Sequence, residues 1–234
     1  MKVSIIVPVY NEERTVVQIL RKVNSVNLSS LNLDKEVIVV DDGSTDKTVD
    51  ELNRNSKLYD QFLRHEINLG KGSAIRTALK KVTGDIVLIQ DADLEYNPED
   101  YLIVLAPIIR GVSDVVYGSR FLNTKDITQR WAIPRHYVGN KILSLVTSVL
   151  YLRFLGDMET CYKGILTSII REIPLRAKRF DFEPEITAKL LKRGHSILEV
   201  PIKYSSRSYG EGKKINFKDG LLALWYLVKY RFVD

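Results

Sequence analysis

Apolar residues along this chain follow two alternating periods. Four runs, Val3 to Val9, Glu36 to Val40, Asp85 to Gln90 and Asp114 to Tyr117, are rich in Val and Ile, the pattern of parallel strands buried on both faces. Between them apolar positions recur at helical spacing: Val16, Leu20 and Val23 after the first run, and Ala74, Ile75, Ala78, Leu79 and Val82 before the third. Asn97-Pro98-Glu99-Asp100 offers a cap, a first-turn proline and two acids to open a further helix. The alternation predicts an α/β fold, a mostly parallel central sheet flanked by helices and joined by right-handed crossovers.

Sheets of that kind bind ligands beyond the carboxyl ends of their strands, so the polar residues directly after each Val/Ile run carry the functional signal. Three runs end in such motifs: Pro8-Val9-Tyr10-Asn11-Glu12, Asp41-Asp42-Gly43-Ser44 and Asp91-Ala92-Asp93. They are predicted to share one rim.

Past residue 125 the pattern changes to a long apolar helix, Val138 to Leu155, a mixed region and a final segment, Leu221 to Val233. A membrane span needs about 20 mainly apolar residues. The first segment contains Asn140, Lys141, Ser144, Thr147, Ser148 and Arg153, and the second is too short, so neither is read as a span. The first is expected to pack in the core or against another subunit. The second is expected at a membrane interface, with Trp225, Tyr226, Tyr230 and Phe232 at headgroup depth beside Lys229 and Arg231.

Composition narrows the class. The chain has 234 residues, 45% hydrophobic and 27% charged, ordinary values for a globular protein large enough to bury its own core. A single cysteine, Cys161, excludes an internal disulfide framework and a multi-cysteine zinc site. Met1 leads straight into the first strand without a basic leader, so a cytoplasmic protein is expected. Residues 1–125 carry 16 Lys+Arg against 18 Asp+Glu, and residues 126–234 carry 19 against 11, so the net charge of +6 divides into −2 and +8. A basic second half points to an anionic partner: phosphate, lipid headgroups or nucleic acid.

Each rim motif has its own chemistry. Asp91 and Asp93 present hard oxygen ligands that can hold Mg²⁺ or Mn²⁺, an ion that takes one or two carboxylates and completes its shell with substrate phosphates. An isolated D-x-D is more often a turn with capping aspartates; its place on the rim argues for the metal. Asp41 and Asp42 can accept hydrogen bonds from a base N–H or a ribose hydroxyl, Gly43 permits a sharp turn, and Ser44 or Thr45 can cap the following helix. Asn68-Leu69-Gly70-Lys71-Gly72-Ser73-Ala74 resembles a glycine-rich loop at a helix N-terminus, a place for donor phosphates, although it lacks the Walker spacing and taken alone reads as a helix start with spare glycines. His65, His136 and His195 share no metal-ligand spacing; only His136, beside Arg135, is placed to reach an acceptor phosphate.

Taken in order, these motifs with Asp91-Ala92-Asp93-Leu94-Glu95, Gly118-Ser119-Arg120, Asp157 to Lys163, Phe182-Glu183-Pro184-Glu185 and Arg207 to Lys214 resemble family 2 glycosyltransferases, most of all the dolichol-phosphate mannose synthase branch, over essentially the whole chain. The resemblance implies a GT-A fold as a single domain over residues 1–234, with a nucleotide-sugar-binding half in 1–125 and an acceptor-binding half in 126–234. It implies Pro8, Tyr10, Asn11, Glu12, Asp41, Asp42, Lys71, Gly72, Asp91 and Ala92 around the nucleotide, and Asp91, Asp93 and Glu95 around Mg²⁺ or Mn²⁺. Related enzymes often carry glutamine at the position of Glu95. Arg120, Arg135, Arg207 and Lys213 would grip donor and acceptor phosphates through charge-assisted hydrogen bonds, with Arg120 and Arg135 beside the reacting centre.

A sugar hydroxyl needs a carboxylate base, whereas a phosphate acceptor is already an anion and needs cations. The basic second half favours the phosphate. The expected reaction is inverting transfer of a hexose, mannose first and glucose second, from GDP-mannose or UDP-glucose to a polyprenyl phosphate by a peripheral protein on the cytoplasmic face of the membrane. The alternative is a saccharide hydroxyl acceptor with Asp157, Glu183 or Glu185 as base. A non-catalytic nucleic-acid binder would leave the rim carboxylates without purpose and lacks any recognition signature, so no nucleic-acid partner is expected. The apolar C-terminal helix could equally form a homodimer.

Overall fold

The computed structural model describes residues 1–122, 134–206 and 217–233, with side chains from residue 139 and residue 220 onward in the last two segments. Among them is a seven-stranded sheet in the order β3-β2-β1-β4-β6-β5-β7. Its strands are β1 (Lys2–Val9), β2 (Asp34–Asp41), β3 (Gln61–Arg64), β4 (Ile86–Ile89), β5 (Val115–Ser119), β6 (Lys163–Leu166) and β7 (Leu198–Pro201). All four expected strands are present. The pairs β1/β2, β1/β4, β2/β3 and β5/β7 are parallel, while β6 runs antiparallel between β4 and β5. The sheet therefore interleaves a strand from beyond residue 125 with strands from before it.

Helices flank the sheet: α1 (Val16–Ser25), α2 (Thr48–Arg54), α3 (Lys71–Leu79), α4 (Tyr101–Ile109), α5 (Pro134–Tyr151), α6 (Thr167–Glu172), α7 (Phe182–Lys192) and α8 (Phe217–Phe232). Helix α1 buries Val16, Ile19, Leu20 and Val23, the stripe its spacing predicts. Ahead of α4 a 3-10 turn, Pro98–Asp100, starts on Asn97, whose side chain accepts from the Glu99 N–H. Val3, Ile5, Ile6, Ile38, Val39, Ile86 and Leu88 are fully buried, and each contributes about 1.5–3 kcal/mol.

One expectation is corrected. Ser44 and Thr45 do not cap α2: Ser44 Oγ accepts from the Asn11 N–H at 2.9 Å and Thr45 N–H donates to Asn11 Oδ1 at 2.8 Å. The two residues join the turns after β1 and β2 instead of closing a helix end.

At the opposite end of the chain α8 packs on α7 and α5. Tyr151 donates to the Leu227 carbonyl at 2.8 Å and Arg231 Nε to the Leu150 carbonyl at 2.9 Å. The pair α5/α8 leaves Leu145, Val149, Leu152, Phe154, Trp225 and Phe232 between 62% and 88% exposed. None of the helices among the described residues is long and apolar enough to cross a membrane.

Candidate active site

Strand register assembles the rim. Val9 lies opposite Asp41 across β1/β2, and Ile6 opposite Ile89 across β1/β4, so the turns at 10–12, 42–44 and 91–95 emerge side by side from three adjacent strands. Pro8, Tyr10 and Asn11 are half-buried there and Glu12 is buried. Glu12 also opens α1: its carbonyl accepts from the Thr15 and Val16 amides, and its carboxylate accepts from Thr15 Oγ1 at 2.6 Å.

The two aspartates after β2 divide their work in a way the sequence leaves open. Asp42 is committed: Oδ1 receives His65 Nδ1 at 2.7 Å and the Leu69 N–H at 3.0 Å, and Oδ2 receives the Gly70 N–H at 2.7 Å. These bonds clamp the 65–70 loop onto Asp42. Asp41 is fully buried, with Oδ2 facing Arg64 Nε at 3.4 Å and the Ser44 amide at 3.3 Å. Its Oδ1 has no hydrogen-bond partner. A buried carboxylate oxygen left unsatisfied is costly, and among the described residues only Asp41, Glu159 and Glu183 carry such a side-chain atom.

The glycine-rich segment opens α3. The Gly72 N–H donates to the Arg179 carbonyl and the Ser73 N–H to the Lys178 carbonyl, so these first-turn amides of α3 are engaged by protein backbone. A Cβ on Gly72 would lie 2.7 Å from the Ala177 carbonyl oxygen. The glycine serves close packing. Lys71 points the other way, bridging Asp91 at 2.9 Å and Glu183 at 2.7 Å. Burial opposes its charge, but Asp91 and Glu183 together hold its ammonium well above the ordinary lysine range.

Asp91, Ala92, Asp93 and Glu95 form the turn after β4. Asp93 Oδ1 accepts from the Glu95 N–H at 3.1 Å, and Glu95 Oε2 accepts from Tyr204 at 2.7 Å. Glu95 is thereby tied to the 202–206 segment, a role its place in the motif does not show. Among the described residues no three His, Cys, Asp or Glu side chains form a closed metal cage. Mg²⁺ and Mn²⁺ ordinarily take one or two carboxylates and finish their shell with water and phosphate oxygens. Two half-buried aspartates on an open rim fit an ion of that kind.

Arg120 is anchored by an ion pair. Its Nε and Nη2 make a bidentate pair with Asp157 at 2.9 and 2.6 Å, and its N–H donates to the same carboxylate. The guanidinium also stacks 5.2 Å from the Tyr204 ring centroid. Of the three candidate bases, Asp157 is consumed by that pair, and Glu185 accepts from the Arg176 and Ala177 amides and from Lys189. Glu183 retains one unsatisfied oxygen. Arg135 falls in the first turn of α5, but its side chain, like Arg207 and Lys213, lies outside the described residues.

Glu159 escaped the sequence reading. Burial, the Glu183 charge and Asp157 push its carboxyl up to about 7, against the opposing pull of Lys163 and Arg120. Its only signal was a carboxylate two residues past Asp157, and nothing local marks it as sealed among other acids.

Comparison with known proteins follows the same outline. The profile described as Glycosyl transferase family 2 matches residues 4–173. A dolichol-phosphate mannosyltransferase of Pyrococcus furiosus is 28% identical over 91% of this chain, which spans 59% of that protein's length. A UDP-N-acetylglucosamine–dolichyl-phosphate N-acetylglucosaminyltransferase of Methanococcus voltae is 31% identical over 97% of this chain and 94% of its own. In structure, the chain is similar to glucosyl-3-phosphoglycerate synthase from Mycobacterium tuberculosis in complex with Mn²⁺, UDP and phosphoglyceric acid, with a TM-score of 0.72, 19% identity, and coverage of 100% of this chain and 79% of that one. The same enzyme crystallised with Mg²⁺ and UDP gives 0.70 at 18% identity, covering 100% and 80%. These likenesses identify the fold as GT-A.

Proposed function

The chain belongs to glycosyl transferase family 2, and on that premise we propose that it moves a hexose from a nucleoside-diphosphate sugar to a polyprenyl phosphate with inversion. One observation carries the reading: the turns at 10–12, 41–44 and 91–95 converge on one rim with two aspartates and an unsatisfied Asp41 oxygen. Asp41 Oδ1 accepts a base N–H, and Pro8, Tyr10, Asn11 and Glu12 bound the nucleoside. Asp91 and Asp93 would hold Mg²⁺ or Mn²⁺. The ion, when bound, supplies neutralisation of the departing nucleoside diphosphate. Lys71 holds Asp91 in place. An acceptor phosphate oxygen attacks the anomeric carbon, the bond to the diphosphate oxygen breaks, and the phosphate anion needs no base. That fits a site in which Asp157 and Glu185 are already committed to structural pairs.

Mannose stands first as the transferred sugar and glucose second; the Methanococcus relative adds N-acetylglucosamine to the set to be tested. We read residues 1–234 as one domain, with the nucleotide in 1–125 and the acceptor in 126–234, because β6 inserts between strands of the first half. We assign the acceptor half to the cytoplasmic face of a membrane, a reading supported by the exposed apolar side chains of α5 and α8 and by Lys229 and Arg231 on α8.

Thermal shift with GDP-mannose, UDP-glucose, UDP-N-acetylglucosamine, GDP and UDP, each with Mn²⁺ or EDTA, tests the donor. A metal-dependent shift with one nucleotide family supports the reading, and transfer of that sugar to a short polyprenyl phosphate completes it. The absence of any shift would sink it. Asp93→Asn is expected to lower the transfer rate at least about a hundredfold with unfolding unchanged; full activity would remove the metal from the account.

A second reading rests on Glu183, whose unsatisfied oxygen could serve as base for a saccharide hydroxyl. Transfer to soluble saccharides, and none to polyprenyl phosphate, would favour it.

A further inference from the structure

Beneath the 91–95 turn lies a buried polar network with no part in the roles assigned above. Gln90 follows β4 and is fully buried. Its N–H donates to the Ile6 carbonyl at 2.9 Å. Its side-chain Oε1 accepts from two buried phenols, Tyr101 on α4 and Tyr162 just before β6, each at 2.7 Å. Two donors on Oε1 settle which way the amide faces, and the NH₂ group donates to the Asp91 carbonyl at 2.8 Å. The rings of Tyr101 and Tyr162 lie 5.7 Å apart, and Tyr162 also packs 4.8 Å from Tyr96, whose hydroxyl accepts from the Cys161 N–H.

The turn is held at its far end as well. Tyr204 donates to Glu95 Oε2, the Ser205 N–H donates to the Glu95 carbonyl, and Tyr96 bridges to Tyr204. Between the two anchors Leu94 sits at φ +65°, a conformation that a leucine rarely adopts. Strained backbone of this kind persists only where its surroundings over-determine it. One end of the strained turn is fixed by buried groups from α4 and the lead-in to β6, the other by the half-buried Tyr204 and by Ser205 from the segment after β7.

We propose that Gln90 is a positioning residue for the Asp91–Asp93 turn: the Tyr101 and Tyr162 hydroxyls lock its amide, and the locked amide fixes the Asp91 peptide so that both carboxylates are set before a metal arrives. The proposal rests on the reading of Asp91 and Asp93 as metal ligands, and it adds that their geometry is imposed from beneath.

Gln90→Glu keeps the side-chain size and both acceptor positions for the tyrosines but replaces the amide donor with an oxygen facing the Asp91 carbonyl. Tyr101→Phe combined with Tyr162→Phe attacks the lock from the other side, leaving Gln90 in place but free to rotate. Three quantities are measured on the full chain: thermal unfolding, hydrogen exchange of the 92–95 amides without metal, and Mn²⁺ affinity by electron paramagnetic resonance with nucleoside diphosphate present. In both variants exchange at 92–95 is expected to quicken about tenfold and Mn²⁺ binding to weaken about tenfold, the scale of one buried hydrogen bond. Cooperative unfolding is retained, and the catalytic rate falls while the KM for acceptor is unchanged. Either phenylalanine substitution alone, leaving one phenol on Oε1, is expected to give a smaller effect than the pair. Exchange unchanged in both variants would overturn the lock, and faster exchange with unaltered Mn²⁺ affinity would overturn its role in metal geometry. Failure of the parent protein to bind Mn²⁺ would instead strike the metal-site reading, because the exchange measurement needs no metal.

Discussion

Arg120 and Asp157 form a buried ion pair within the motif-bearing segments. The bidentate pair leaves Asp157 fully buried and Arg120 nearly so. Removing one partner of a buried pair strands the other charge, at a cost of about 3–5 kcal/mol. Arg120→Ala is therefore expected to lower the free energy of unfolding in urea by that amount. A loss below about 1 kcal/mol together with weakened donor binding would return Arg120 to a phosphate-binding role. Glu159 makes a different prediction at the same scale. Its carboxyl titrates at about 7 in the folded chain against an ordinary value of 4.5, so between those values the folded state keeps a proton that the unfolded state has lost. The stability this proton brings is complete below about 4.5 and disappears as pH rises through about 7. Subtracting the unfolding curve of Glu159→Gln from that of the parent, pH by pH, should isolate this decline, and a flat difference across the window would contradict the raised value.

Among the elements, the meeting of α3 with the 176–179 segment is the tightest contact near the site. Gly72 lets α3 approach until its amides pair with backbone carbonyls, and that approach sets Lys71 between Asp91 and Glu183. Gly72→Ala would press a methyl group onto the Ala177 carbonyl, a backbone group that cannot swing aside. A destabilisation of about 1–3 kcal/mol, read by thermal unfolding, is expected. Unchanged stability would mean that the segment yields more readily than its hydrogen bonds suggest. The same element shows where local reading reaches its end. A glycine-lysine-glycine run before a helix is compatible with a phosphate loop and with close packing, and only the partner 105 to 107 residues away in sequence distinguishes them.

For the molecule as a whole, the paired helices α5 and α8 carry the strongest expectation. Leu145 on α5 and Trp225 on α8 are 64% and 62% exposed, so charging them should leave folding nearly unaltered, within about 0.5 kcal/mol. Leu145→Glu with Trp225→Glu is expected to abolish sedimentation with anionic lipid vesicles while leaving donor binding intact. Persistence of vesicle binding would remove this face from the membrane account, and a change from dimer to monomer on gel filtration would assign it to a second copy.

How much of this was legible in the chain follows from the range of the forces involved. Strands β1, β2, β4 and β5 and helices α1 and α3 are written in hydrophobic periodicity, a local property. The rim follows from them, because parallel strands end on the same side and their register is set by buried faces. Strands β3, β6 and β7 are no shorter than β4, but they carry polar residues, glycine or proline in place of its unbroken Ile/Val/Leu run, and the antiparallel course of β6 depends on what lies on either side of it. The sequence alone determined the α/β class, the rim and its carboxylates. Tertiary structure decided which donors reach each carboxylate: Asp42 accepts from the 65–70 loop, Asp157 pairs with Arg120, and Asp41, Glu159 and Glu183 each keep an unsatisfied oxygen. The reason is that a carboxylate's task is set by the donors that reach it, and those donors come from segments whose distance along the chain carries no trace of their nearness in space.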